Sequence, residues 1–156
     1  IHAFVIWGMG SYSAVGTSKL MFFFFFLTLG LFASLFMSKN LNILLLGDLY
    51  ADNLGLNVKR NSIFIILISG YLTAIVTAYC GPIAFLGLAI PHMTRFIFKT
   101  SDHRILVPTV MLIGMIVSLL CNIIARMPGL EGNLPINAVT AFIGAPVVSW
   151  VILRQR

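Results

Sequence analysis

The chain has 156 residues, of which 60% are hydrophobic and 9% are Asp, Glu, Lys or Arg, and its formal net charge is +6. A soluble domain runs at about 45–50% apolar and about 25% charged, and one this small has too much surface to cover with so few charges. The composition therefore excludes a water-soluble globule, intrinsic disorder, collagen and coiled coil, and it places the chain in a bilayer. Its ten basic residues are spread between apolar runs, so they make no solvated face of the kind that binds nucleic acid.

Residues 1–19 are less apolar and rich in Gly and Ser, and read as the tail of a preceding helix plus an external loop. The chain opens on Ile1 without a basic stretch, so no cleavable signal peptide is expected, and the opening suggests a fragment or a chain whose first half is missing. Residues 20–156 carry five apolar segments. The first runs from about Leu20 to Met37 and includes the run Phe22 to Phe26. The second runs from about Asn61 to Cys80, and the third from Pro82 to Phe98, short and broken by Pro91. The fourth runs from about Ile105 to Ala125 and the fifth from about Ile136 to Leu153, with Pro146 inside it. A helix needs about 20 residues to cross the hydrocarbon, so the expected fold is an all-α integral membrane protein with about five transmembrane helices.

Prolines inside such helices free backbone groups, which survive in lipid only where protein or a water-filled cavity surrounds them. Pro91 and Pro146, with Gly87 and Gly144 nearby, therefore point to helices packed inside a larger bundle. Gly114 and Ser118, four apart on one face of the fourth segment, allow close helix approach. A substrate path needs the same ingredients, so packing and path both stand at this point. Cys80 and Cys121 lie in apolar runs with no CxxC spacing and read as small buried hydrophobes.

The basic residues set an expected orientation. Lys39, Lys59 and Arg60 lie between the first and second segments, Arg95, Lys99 and Arg104 between the third and fourth, and Arg154 and Arg156 after the fifth. Only Lys19 and Arg126 fall on the other side. The positive-inside rule puts the N-terminus outside, the C-terminus in the cytoplasm and the loops 38–60 and 99–104 in the cytoplasm. The stretch 46–60 is the most unusual of these. Asp48 is a candidate cap for a short helix, Gly55 a stop able to take a positive φ, and Leu49 and Leu54 fall near one apolar side. Such a helix outside the bilayer rests either on lipid headgroups or on another protein.

At this stretch the sequence resembles the permease subunits of the iron-siderophore, haem and cobalamin importers of bacteria, the FecCD family. The landmarks are Leu41-Asn-Ile-Leu-Leu-Leu-Gly47, Ala51 to Gly55 as A-x-x-L-G, and Gly81-Pro-Ile-Ala-Phe-Leu-Gly-Leu-Ala-Ile-Pro-His92 followed by Arg95. Asp102-His-Arg104, Leu134-Pro135 and Gly144-Ala-Pro146 follow in order. The resemblance covers residue 38 to the end and, more loosely, Trp7-Gly8. It implies that the five segments match helices six to ten of a ten-helix permease. It also implies that Gly47, Asp48, Ala51, Leu54 and Gly55 form a cytoplasmic loop docking on a separate ATP-binding subunit. Asp48 stands where the family commonly has Glu. The resemblance further implies a second permease copy, an external substrate-binding protein that Arg126 receives through an acidic residue, and residence in the bacterial cytoplasmic membrane. Against that role, Arg126 also reads as an interface anchor or a partner of Glu131.

His92 has no second ligand at i+4, and His2 and His103 lie on opposite sides, so no metal site is expected. No P-loop, nucleophile elbow or paired catalytic carboxylates occur, so no enzymatic activity and no cofactor are expected. The function implied is a permease carrying a ferric siderophore, with haem or cobalamin next. The alternative is a membrane scaffold or the remnant of a split permease gene.

Overall fold

The computed structural model describes residues 7–10, 12, 16–126 and 135–154. In chain order its helices are α1 (Thr17–Leu44), α2 (Asp48–Asn53), α3 (Val58–Cys80), α4 (Leu86–Phe98), α5 (His103–Ala125) and α6 (Ile136–Arg154). Among the described residues there is no strand.

Three of these helices, α1, α3 and α5, are long and apolar enough to cross a membrane. At about 1.5 Å per residue the 23 residues of α3 and of α5 reach about 35 Å, against a hydrocarbon core of about 30 Å. The 28-residue α1 is longer than the expected Leu20–Met37. Its polar C-terminal turns lower the hydropathy there, yet stay helical, with Ser38, Asn40 and Asn42 all hydrogen-bonded. Ser38 Oγ donates to the Leu35 carbonyl at 2.7 Å, and Asn40 Nδ2 donates to Asn61 Oδ1 on α3 at 2.6 Å.

The third expected span is shorter than anticipated. α4 holds only 13 residues, about 20 Å of helix. It is preceded by the non-helical stretch 81–85, in which Gly81 and Phe85 take positive φ. α6 holds 19 residues, Ile136–Arg154, about 28 Å of helix.

Hydrogen bonds at the two ends fix the directions. Asn40 ties α1 to the start of α3, and Asn42 ties α1 to the start of α5. At the other end Asn137, near the start of α6, donates to the carbonyls of Gly8 and Pro82. A cluster of Cys121, Ala125, Ile136 and Val139, backed by Tyr12, Val117 and Ile143, closes that end. The chain therefore passes five times between two ends. One carries Lys39, Lys59, Arg60, Lys99 and Arg104; the opposite end carries Lys19 and Arg126. α1 packs on α3 and α5, while α4 packs on α5 and α6. Cys80 and Cys121 are buried free thiols, as their apolar surroundings suggest.

Prolines lie inside three helices, Pro91 in α4, Pro108 in α5 and Pro146 in α6, and each helix continues through its proline, so the break expected at Pro91 is a lost backbone bond and not an end of the helix. Pro108 escapes notice in the sequence because it is only the sixth residue of its helix. Much of the long helices faces outward: Phe22, Phe24, Phe25, Ile66, Leu67 and Leu119 are all exposed. An apolar surface of this extent requires lipid or protein to cover it.

Candidate functional site

The basic end carries α2, six residues between two glycines. Gly47 precedes it at φ 97° and Gly55 follows it at φ 80°. Residues with a Cβ adopt such angles at a cost of about 1–2 kcal/mol. The positive φ expected at Gly55 is present. The C-terminus is a Schellman motif: the Leu56 N–H bonds the Ala51 carbonyl at 3.0 Å and the Gly55 N–H bonds the Asp52 carbonyl at 2.9 Å. The expected capping role of Asp48 is not found. The cap position belongs to Gly47, with no side-chain cap bond, and Asp48 is the first helical residue. Its carboxylate there still favours the helix N-terminus through the dipole.

Ala51 is fully buried where α2 packs on α1 and α3, whereas Leu45, Leu46, Leu49, Tyr50 and Leu54 are all exposed. Leu49 is 81% exposed. This short helix is thus held at its base by one small residue and offers an apolar face outward, with Asp48 and Asp52 beside it.

At the same end Asn42 joins α1 to α5. Its Nδ2 donates to Asp102 Oδ1 at 2.5 Å, while its Oδ1 accepts from the His103 backbone N–H at 2.6 Å and faces His103 Nδ1 at 3.0 Å. Asp102 Oδ1 also accepts from the Arg104 N–H at 2.8 Å and so caps α5. These bonds from the Arg104 amide and the Asn42 side chain hold the Asp102 carboxyl below its usual range. The polar helix start expected at Asp102-His103-Arg104 is therefore present, and it has a long-range partner that sequence spacing did not reveal.

The expected helix breaks lie within continuous helices and are of two kinds. Pro91 lacks the N–H that would bond the Gly87 carbonyl four residues earlier, and a Cβ on Gly87 would meet nothing within 4 Å. Gly87 therefore faces open space within this chain. Gly144 is the opposite case, buried with its face on Phe85. Phe85 itself has φ 67° and centres a tight turn in which the Leu86 N–H bonds the Ala84 carbonyl at 2.8 Å. The Ala84 N–H donates to Asn137 Oδ1 at 3.1 Å. One asparagine thus fastens the entry to α4 onto α6, another link that sequence reading missed because its partners are backbone atoms more than 50 residues away. Pro146 is exposed beyond this contact. Gly114 lies 3.6 Å (from its would-be Cβ) from Ile90 Cδ1 across α4 and α5, which is ordinary packing distance.

Arg126 caps the far end of α5 and is exposed. Glu131 and Leu134 lie outside the described residues, as do Ile1, His2 and Arg156. The structure brings Gly47, Asp48, Ala51, Leu54 and Gly55 together at the basic end. Phe85 and Gly144 meet at the entry to α4, Gly87 and Pro91 lie on α4 outside that contact, and Arg126 stands at the end of α5.

The model of the FecCD transport family matches residues 1–154. The chain belongs to that family. Among FecCD relatives, the vitamin B12 import system permease protein BtuC of Klebsiella pneumoniae is 35% identical over the whole chain, which spans 46% of that protein. The uncharacterized ABC transporter permease protein YvrB of Bacillus subtilis is 34% identical over 97% of the chain and 43% of its own length. A solved inward-facing ABC transporter assigned to the metal-chelate type superposes with a TM-score of 0.89 at 34% identity, covering 97% of this chain and 49% of that one. This FecCD chain thus spans about half the length of the relatives it matches, as the resemblance to helices six to ten implies.

Proposed function

We propose that the chain forms the C-terminal half of the permease of an ABC importer whose cargo is a bulky metal chelate, a ferric siderophore or cobalamin. The observation that carries this is α2: a glycine-bounded helix, rooted by Ala51, with an exposed apolar face at the basic end. The basic end is cytoplasmic by the positive-inside rule, so the apolar face meets a soluble protein there, an ATP-binding subunit. A short, rigid helix seated in a groove transmits a nucleotide-dependent bias, as alternating access requires contacts that differ between states.

The lost backbone bonds in α4 and α6 suit a path at the interface with a second permease copy. Gly87 is open and its carbonyl is released by Pro91, so this turn offers backbone polarity to a water-filled passage. Arg126 at the opposite end suits docking of an external binding protein, because its planar fork holds a carboxylate with two hydrogen bonds. Support for the cargo class comes from the BtuC relatives and the metal-chelate transporter.

The test is uptake by the complete importer of a ferric siderophore and of cobalamin, each delivered on its binding protein. ATP-dependent uptake of either is expected, and uptake of neither would refute the assignment of cargo.

A further inference from the structure

At the basic end α1 carries two asparagines two positions apart. At about 100° per residue they point to nearly opposite sides of the helix. Asn40 reaches α3 at Asn61, and Asn42 reaches α5 at Asp102 and His103. The bond from Asn40 stays inside the hairpin formed by α1, α2 and α3. The bonds from Asn42 leave it. α2 rests on α1 and α3, and α5 in turn packs on α4 and α6, which hold Pro91, Gly87, Gly144 and Pro146. A displacement of α2 therefore has a polar connection to the proline-bearing helices through one side chain that starts two residues before the end of α1.

We propose that Asn42 is a coupling residue: its amide locks the α2-bearing end of α1 to the capped start of α5, so that movement imposed on α2 is passed to α5 and on to α4 and α6. This rests on the reading of α2 as the ATPase contact. Both halves of the amide are used, one donating to the Asp102 carboxylate and one accepting from the His103 N–H, so the link resists sliding in either direction. Asp102 is simultaneously held by the first turn of α5 through the Arg104 N–H. These bonds meet α5 at its capped N-terminus. Asn42 is a positioning residue and touches no cargo.

The experiment uses the complete importer in vesicles and reads cargo moved per ATP hydrolysed. N42D sets a second carboxylate beside Asp102, so the bond to Asp102 becomes a like-charge repulsion while the acceptor for the His103 N–H remains. The ratio is expected to drop about fivefold or more, the low end of typical coupling between sites, while the ATP-binding subunit still co-purifies and still hydrolyses ATP. D102N keeps an acceptor for both Asn42 and the Arg104 N–H and is expected to leave the ratio near wild type. The swap N42D/D102N restores a donor facing an acceptor: the carboxylate at position 42 accepts from the His103 N–H and from the amide at position 102. It is expected to recover most of the ratio. A merely structural defect would lower the amount of assembled importer and leave the ratio unchanged. If N42D assembles poorly, N42A, which adds no charge, is read on the assembled fraction. An unchanged ratio in N42D or N42A, or a swap that fails to recover it, overturns the proposal. The underlying reading of α2 fails separately, if replacing Leu49 and Leu54 by Ser leaves association with the ATP-binding subunit intact.

Discussion

Gly144 on α6 lies so close to Phe85 that a Cβ built on it would sit 2.7 Å from the Phe85 Cβ. The contact presses a residue already at φ 67° against a helix that carries its own proline two residues on. Backbone strain of this kind costs on the order of 1–3 kcal/mol and persists only where the surroundings hold it. Here Asn137 holds the preceding Ala84 N–H and the Pro82 carbonyl.

Gly144→Ala is therefore expected to destabilise the full-length permease by about 1–3 kcal/mol through overpacking. Phe85→Gly removes both the opposing Cβ and the strained angle, so the double variant should be more stable than the sum of the two single changes allows. Thermal unfolding in detergent measures this, and strict additivity would show that the two residues do not meet.

Much of this fold was readable from hydropathy and charge, and the misses have local causes. α1, α3 and α5 stand out because their apolar runs exceed a bilayer's thickness, yet α1 continues through Asn40 and Asn42, whose partners lie on other helices. The run 82–98 looks like one short helix, but its first four residues are fastened by Asn137, which no window along the sequence connects to them. The face of α2 was legible from Leu49, Leu54 and Gly55. A side-chain oxygen is the usual cap signal and points to Asp48 in the sequence, whereas the glycine that holds the cap position, Gly47, carries no such signal. Gly87 and Gly144 carry the same letter, and only the three-dimensional packing separates the open one from the pressed one.

Gly55→Leu places a side chain at φ 80°, a strain of about 1–2 kcal/mol. A Cβ there meets nothing within 4 Å, so the damage should stay in the Schellman turn and leave the long helices folded. Transport by the assembled importer is expected to be lost while ATP hydrolysis persists. Normal transport would remove this turn from the coupling step.

Orientation is tested by a single cysteine at Asn57 in a background lacking Cys80 and Cys121, both buried and replaceable by small residues. An impermeant thiol reagent is expected to label it only from the cytoplasmic side. Labelling from outside would invert the topology.

Arg126→Glu should weaken association with the external binding protein and reduce its dependence on salt, with folding intact. An exposed ion pair alone is worth about 0–1 kcal/mol, and the reversal adds repulsion between two carboxylates to that loss. Affinity measured at low and high salt in the reconstituted importer checks this. An unchanged affinity and salt slope would leave Arg126 as an interface anchor.

The most direct measurement is photo-crosslinking from a probe placed at Leu49, the outermost apolar residue of α2, in the complete importer. The probe is expected to capture the ATP-binding subunit, with a yield that changes between nucleotide-free and ATP-bound states. Capture of lipid alone in both states would contradict the assignment of α2 as the contact that drives transport.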